Sequence, residues 1–514
     1  MYKSLLKSIG GILFLLGGVM LLPAIVAVIY QEWYALAGFS ISAVFTGAIG
    51  YLLFKVLFNK NEDLDRKFAM LTAAWGWLCI AVFGAVPFLL TAHLTPDAAL
   101  DSFLHAGANY TASLTYFKNP LHALFESMSG FTTTGLTMAV HEPSIGKTLL
   151  FYRSLSQWVG GAGFIVMVLA VLHQPGRGSL LLYSSEARSN KLRTSVVATA
   201  SAIWKLYVGI SLILFLYLLV GTLILLPDYP RGEALFDAIN HAMASQSTGG
   251  FSTLDNSIGS YGSSQMEMLY VLPMVVGSIS MAFYFKLFYK KKLSAFWNDL
   301  QTRWLLISFI SGAATLSWFL MQENILSDPW VKGIFQFISA LSTTGWQTSD
   351  VNQWGPLPVL VMLTAMIVGA GSGSSAGGIK MTRLLLIVRG LIWEIKKPFV
   401  SKNTIKTIHY NHQIKLPEEM HALLSQATLL TLFYLLMILI SSGITSYFMG
   451  AGYSPSNAFF EAASAQGTVG LSTGITGPDM PAAVEVTYIF QMWTGRLEVI
   501  PVLVMIRALF FGYD

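Results

Sequence analysis

Four short stretches decide the fold of this chain: FESMSGFTTTGLT (125–137), NHAMASQSTGGFS (240–252), FQFISALSTTGWQ (335–347) and FEAASAQGTVGLS (460–472). Aligned without gaps, they share Thr-x-Gly followed by a bulky apolar residue. The sets are Thr133, Thr134, Gly135 and Leu136; Thr248, Gly249, Gly250 and Phe251; Thr343, Thr344, Gly345 and Trp346; and Thr468, Val469, Gly470 and Leu471. A single Thr-x-Gly is an ordinary turn among small residues. Four copies, each between two long apolar runs, are a repeat. A proline precedes each copy, at Pro120, Pro230, Pro329 and Pro455, which lie 15, 20, 16 and 15 residues before the respective glycine.

The unit has a physical reading. Proline suits the first position of a helix, where its missing N–H would be unpaired anyway. Asn119, Asp328 and Ser454 stand just before three of the prolines as candidate N-caps. A helix of about 10–12 residues reaches about 15–18 Å, half of a bilayer. Such a segment must enter and leave on the same side, which requires surrounding protein or water. The second helix is expected to be about one turn longer than the others. Each helix C-terminus would carry roughly half a negative charge toward the bilayer centre. Glycine then permits the positive φ that turns carbonyls inward. Rings of carbonyls that replace a hydration shell are the basis of potassium selectivity.

Composition agrees with a membrane setting. The chain has 514 residues, 54% apolar and only 11% charged, against about 25% charged in soluble proteins. Apolar runs near 9–30, 36–58, 69–94, 148–172, 203–227, 266–289, 303–322, 357–390, 423–449 and 484–511 each meet the length of a spanning helix. The first is too long for a secretory signal and lacks a convincing cleavage site. Of the 31 Lys and Arg, five (Lys118, Lys147, Arg153, Arg231 and Lys332) fall opposite the N-terminus, Arg496 lies mid-span, and 25 fall on the N-terminal side. Both termini are therefore expected in the cytoplasm. The net charge of +5 is too small for a nucleic-acid surface, and the single Cys79 excludes an internal disulfide. No arrangement of residues argues for catalysis or for an organic cofactor on this chain.

The expected fold is an all-α membrane protein: two N-terminal transmembrane helices (1–60), then four membrane–pore loop–membrane repeats at 61–180, 181–295, 296–415 and 416–514. The four Thr-x-Gly stretches resemble the pore loops of the Trk/Ktr/HKT potassium-transporter superfamily, and the two extra N-terminal spans resemble its TrkH branch. The resemblance covers nearly the whole chain. It implies a pseudo-fourfold pore for K⁺ in the cytoplasmic (inner) membrane. It also implies a homodimer and a cytosolic, nucleotide-binding, TrkA-like regulatory subunit. The candidate K⁺ filter is Thr133–Gly135, Thr248–Gly250, Thr343–Gly345 and Thr468–Gly470. Glycine at Gly135, rather than the serine of Na⁺-favouring relatives, implies K⁺. The second glycine of true K⁺-channel filters is replaced by Thr137, Ser252, Gln347 and Ser472, so some Rb⁺ or Na⁺ leakage is expected.

The run GAGSGSSAGG (369–378) interrupts the apolar run 357–390, the second span expected in the third repeat, with five glycines, Gly369, Gly371, Gly373, Gly377 and Gly378. At about 1 kcal/mol per glycine relative to alanine it cannot stay helical. It reads either as a small-residue packing face or, as the resemblance implies, as an intramembrane gate under the filter with Lys380 at its cytoplasmic mouth. Arg496, mid-span, costs at least about 2.5–3.5 kcal/mol unless it faces a pore or a partner. It reads as a partner of loop carbonyls or Glu498, or, by resemblance, as a barrier arginine that contacts the glycine loop. Glu126 and Glu461 are expected to brace the filter from behind. Glu142, Asp255, Asp350 and Asp479 read as solvated loop charges or as a cation-concentrating mouth. The basic loops 286–303 and 380–415 suit anionic lipid, a cytosolic partner or plain solvation. His409-x-x-His412 is too short a signal for a metal site. K⁺ symport with H⁺ or Na⁺, and a sensor or scaffold without flux, are the competing functional classes.

Overall fold

The computed structural model describes residues 2–56, 66–104, 110–163, 196–289, 291, 299–399, 408–410, 413–415 and 417–512. The arginine and lysine cluster at 177–193, the stretch 164–172 of the fourth expected span, the boundary at 180/181, Lys402, Lys406 and His412 lie outside the described residues. The rest is almost wholly helical, with one small antiparallel hairpin, Ile408–Tyr410 against Gln413–Lys415.

Six helices among the described residues are long and apolar enough to cross a membrane: Lys3–Ile29, Trp33–Lys55, Lys67–Leu94, Ser201–Leu225, Leu300–Glu323 and His421–Met449. Five of them lie mostly on the outside, while Lys67–Leu94 is more than half buried. Ile213, Ile224, Ile310 and Leu429 are each at least 60% exposed, as side chains that face acyl tails should be. Each of the last four long helices is followed by one of the four short ones foreseen from the prolines: Pro120–Phe131, Arg231–Gln246, Pro329–Ser342 and Pro455–Gly467. The second has 16 residues against 12, 14 and 13, the expected extra turn. Asn119 and Ser454 cap as expected, through Leu121 N–H at 3.0 Å and Asn457 N–H at 3.2 Å. Asp328 does not cap. Its carboxylate accepts instead from the Ser264 hydroxyl at 2.7 Å, tying the third short helix to the chain after the second loop.

The expected continuous spans at 266–289 and 484–511 are not continuous. The first breaks between Ser264–Ser278 and Met281–Phe288, with a 92° bend. The second breaks between Ala482–Arg496 and Ile500–Phe511. Apolar content carries no information about such breaks, because both halves of each run remain greasy. Local signals were present: Ser280 caps the following helix through Ala282 N–H at 3.2 Å, and Pro501 opens the last one. The third inner run breaks at 369–380, where glycines were expected to break it. The inner helix of the first repeat, Lys147–Gly161, ends at the same level. These four inner helices and the four short helices form the buried centre, wrapped by the long ones.

Candidate ion pathway

The four Thr-x-Gly stretches meet in one ring. A Cβ placed on Gly135 would strike the Gly249 carbonyl oxygen, one on Gly250 the Thr344 oxygen, one on Gly345 the Val469 oxygen, and one on Gly470 the Thr134 oxygen, each closer than 3.0 Å. The contacts run from the first loop to the second, third and fourth and back to the first. A closed ring of this kind needs four equivalent segments around an axis, and it leaves no room for a side chain at any of the four glycines.

The local geometry is the same in all four loops. Thr133, Thr248, Thr343 and Thr468 hold φ of 60°, 51°, 55° and 48°, and Gly135, Gly250, Gly345 and Gly470 hold 93°, 79°, 81° and 98°. Left-handed threonine is strained by about 1–3 kcal/mol per residue. The strain is carried by the short helices. The N–H groups of Thr134, Gly249, Thr344 and Val469 donate to the carbonyls of Ser129, Ala244, Ser339 and Ser464 at 2.8, 2.8, 3.0 and 2.9 Å. With these donors turned back to the helix C-termini, the axis is left to carbonyl oxygens. The threonine conformation was not foreseen, because a β-branched residue at positive φ is the opposite of its intrinsic preference.

Glu126 and Glu461 brace the loops from behind. The Thr137 hydroxyl and the Met138 N–H donate to Glu126 at 2.9 Å each, and the Ser472 hydroxyl and the Thr473 N–H donate to Glu461 at 2.5 and 3.1 Å. The aligned positions in the other loops do the same with different chemistry: His241 meets Ser252 at 3.1 Å, and Gln336 accepts from Thr348 N–H at 3.2 Å. All four braces are fully buried. The differing chemistry of Glu, His, Gln and Glu hid His241 and Gln336 from sequence reasoning, although their column in the repeat pointed to them. Arg153 lies buried in Lys147–Gly161 and pairs with Glu126 at 2.7 Å, because a buried carboxylate requires a counter-charge. Gln157 was also missed: it donates to the Gly249 carbonyl at 2.5 Å and accepts from Phe251 N–H at 3.1 Å.

Directly beneath the ring stands the loop 369–380. Its neck is closed by Gly369 against Gly378, and by Ile379 N–H and Lys380 N–H on the carbonyls of Ile367 and Val368. Gly369, Gly373, Gly378 and Lys380 have φ of 67°, 83°, 77° and 76°. Its tip touches the ring threonines. Gly377 N–H donates to Thr343 Oγ1 at 3.0 Å, Ser375 Oγ lies 3.2 Å from Thr248 Oγ1, and a Cβ on Gly377 would strike Gly467 O and Thr468 Oγ1. Gly371 N–H and the Gly373 carbonyl bond Ser278 O and Met281 N–H, the backbone groups freed by the break in the second inner helix. So the segment packs as an irregular loop against the ring rather than as a helix face.

Arg496 closes the remaining side. Its guanidinium donates to the carbonyls of Ser375 and Gly160 at 2.7 Å each and to Thr133 Oγ1 at 3.3 Å. Every ring threonine is thus contacted from below by the loop or by Arg496. Lys380 is not at an open mouth. It is partly buried, with its side chain 12% exposed, and pairs with Glu498 at 3.0 Å, and Arg383 pairs with the same carboxylate. Glu498 and Val499 both hold positive φ, 57° and 72°, within the break of the last inner run.

The cation transport protein family TrkH matches residues 69–510. The chain belongs to the TrkH family of cation transport proteins. It is 30% identical over 511 residues to an uncharacterized cation transporter of Methanocaldococcus jannaschii, covering 99% of this chain and 96% of that one. It is 27% identical over 529 residues to the Trk system potassium uptake protein TrkH of Escherichia coli, covering 99% of both. The crystal structure of the potassium transporter TrkH from Vibrio parahaemolyticus superposes with a TM-score of 0.79 at 22% identity, over 99% of this chain and all of that one. A TrkH-family chain with these apolar helices is an integral membrane protein, and a transporter rather than an enzyme.

Proposed function

We propose that this chain takes up K⁺ across the cytoplasmic membrane through the ring at Thr133–Gly135, Thr248–Gly250, Thr343–Gly345 and Thr468–Gly470. The observation that carries the reading is the closed cycle of glycine-to-carbonyl contacts around the ring. Four helix C-termini, each with roughly half a negative charge, attract a monovalent cation to that point, and backbone oxygens replace its water there. The loop 369–378 with Arg496 is the gate. An occluding role is supported by the bonds of its tip to the ring threonines and by the positive charge that the guanidinium places below them.

The basic surfaces and the 25-to-5 distribution of Lys and Arg support cytoplasmic termini and a cytoplasmic gate. A cytosolic TrkA-like nucleotide-binding subunit would act there on the Lys380–Glu498–Arg383 cluster, and a homodimer is the expected assembly. The test is the flux of K⁺, Rb⁺ and Na⁺ in purified vesicles, with and without a proton gradient. Gly135→Ser places a Cβ against the Gly249 carbonyl of the neighbouring loop, so it should shift preference toward Na⁺ by about tenfold, about 1.4 kcal/mol of discrimination. Unchanged selectivity would sink the filter assignment. Dependence of the flux on the proton gradient would replace channel-like conduction by symport.

A further inference from the structure

Above the ring the loops open into a cavity of about 440 Å3. Its floor is Gly135, Gly250, Gly345 and Gly470, and its walls hold the carboxylates Glu142, Asp255 and Asp350. At about 30 Å3 per water the volume accommodates on the order of fifteen waters. Among the described residues no three His, Cys, Asp or Glu side chains form a metal clasp. The volume has room for a cation that keeps its water.

The three carboxylates are not alike. Asp350 is exposed and bonds within its own turn, to Asn352 N–H at 3.0 Å. Asp255 is about one-third exposed and pairs with His141 at 2.8 Å. Glu142 is only 8% exposed, and its Oε2 has no hydrogen-bond partner among the described residues although it lines the cavity. A buried carboxylate oxygen without a partner is costly, and buried polar groups are otherwise satisfied. The solvated-charge reading fails for Glu142, and the cavity beside it is the place from which a partner can come.

We propose that this cavity holds one hydrated monovalent cation as a staging site on the outer side of the ring, with Glu142 as its buried anchor and Asp255 as the second carboxylate, and that protons compete with the cation for Glu142. The inference rests on the filter reading above. Four groups face Glu142: Arg153 from the inner helix, Glu126 from the first short helix, Asp255 from the second loop, and the neighbouring His141, which holds Asp255. Burial pushes the Glu142 carboxyl up to about 8; Arg153 pulls it down and the two other carboxylates push it up further. The group is thus mostly protonated at neutral outside pH and loses its proton as the pH rises or a cation arrives. The sign follows: alkaline outside pH strengthens cation capture.

The experiment measures the half-saturating concentration for Rb⁺ uptake at outside pH 7 and 9, in cells that express the full chain and lack other K⁺ uptake. This quantity does not depend on the amount of folded protein. The wild type should become tighter by about tenfold from pH 7 to 9, the change in the deprotonated fraction of a group titrating near 8. The isosteric Glu142→Gln should remove that response and stay at the weak, neutral-pH value, with its K⁺ over Na⁺ preference unchanged. Asp255→Asn should weaken capture at both pH values and keep most of the pH response. A wild-type pH response in Glu142→Gln would overturn the staging site. Gly135→Ser separates the two readings. If it alters ion preference while Glu142→Gln changes nothing, only the staging site falls. If it leaves preference intact, the filter falls first.

Discussion

At the ring, the four repeats are near copies; one helical turn below it, no two are alike. The ring threonines span only 12° in φ, from 48° to 60°, and their loops share one pattern of helix-terminal hydrogen bonds. Beneath them the first inner helix ends at Gly161, and the second breaks over 279–280 with a 92° bend. The third yields to the loop 369–380, and the fourth breaks over 497–499 with two non-glycine residues at positive φ. Under the function proposed above, the difference has a physical reason. Replacing a hydration shell needs oxygens at equal distances from one point, which only repetition supplies. Obstructing a path needs one object on the axis, which four equal copies would crowd out. On that reading a single repeat would supply the obstruction, and Arg496 of the fourth, bonded to the Ser375 carbonyl, would hold it.

The largest effect should come from breaking the symmetric half. Gly345→Ala sets a Cβ onto the backbone oxygen of Val469 at a φ of 81°, where backbone on both sides cannot give way. Transport should fall by more than about tenfold, since a carbonyl is displaced from a ring in which catalytic-scale geometry matters at the 1 Å level. Normal Rb⁺ uptake by a chain with this substitution would show that the ring is not the conducting element. Gly474 is the control. It also has positive φ, 86°, but a Cβ there meets nothing within 4 Å, so Gly474→Ala should keep uptake within about twofold.

The asymmetric half should respond in the opposite direction. Arg496→Ala removes the bonds to Ser375 O, Gly160 O and Thr133 Oγ1 and the positive charge under the ring, so basal flux should rise several-fold, measured as Rb⁺ efflux at equal expression. Glu498→Gln leaves Arg496 in place but weakens the hold on Lys380 and Arg383, and its increase should be smaller. If Glu498→Gln raised flux more than Arg496→Ala, the cluster rather than the arginine would be the main restraint on the loop.

The smallest effect separates two caps that look alike in sequence. Asn119→Ala loses a true N-cap and should cost about 1 kcal/mol, read as a lowered thermal midpoint of the purified protein. Asp328→Ala removes no cap. It loses only the exposed bond to Ser264, for which a shift of less than about 0.5 kcal/mol is expected. A larger loss at Asp328 than at Asn119 would mean that the tie between the second and third repeats carries more stability than helix capping.

Sequence alone determined the membrane setting, the count of short half-length helices, the location of the candidate filter and the expectation of an intramembrane glycine loop. Each of these is written in local composition or in a repeat: apolar length, proline before a short helix, Thr-x-Gly in four columns, five glycines in ten residues. The breaks at 279–280 and 497–499 were hidden because hydropathy is blind to backbone direction, although Ser280 and Pro501 marked them. What only the tertiary structure decided is which distant groups meet. Left-handed φ at four threonines exists because helix carbonyls hold the following N–H groups. His241 and Gln336 act as braces because their column faces the returning loop. Arg153 is inside because Glu126 is, and Glu142 is a buried carboxylate because its turn folds back over the ring. Burial and pairing depend on neighbours hundreds of residues away in some cases, as Arg496 and Thr133 show, and no window along the chain contains them.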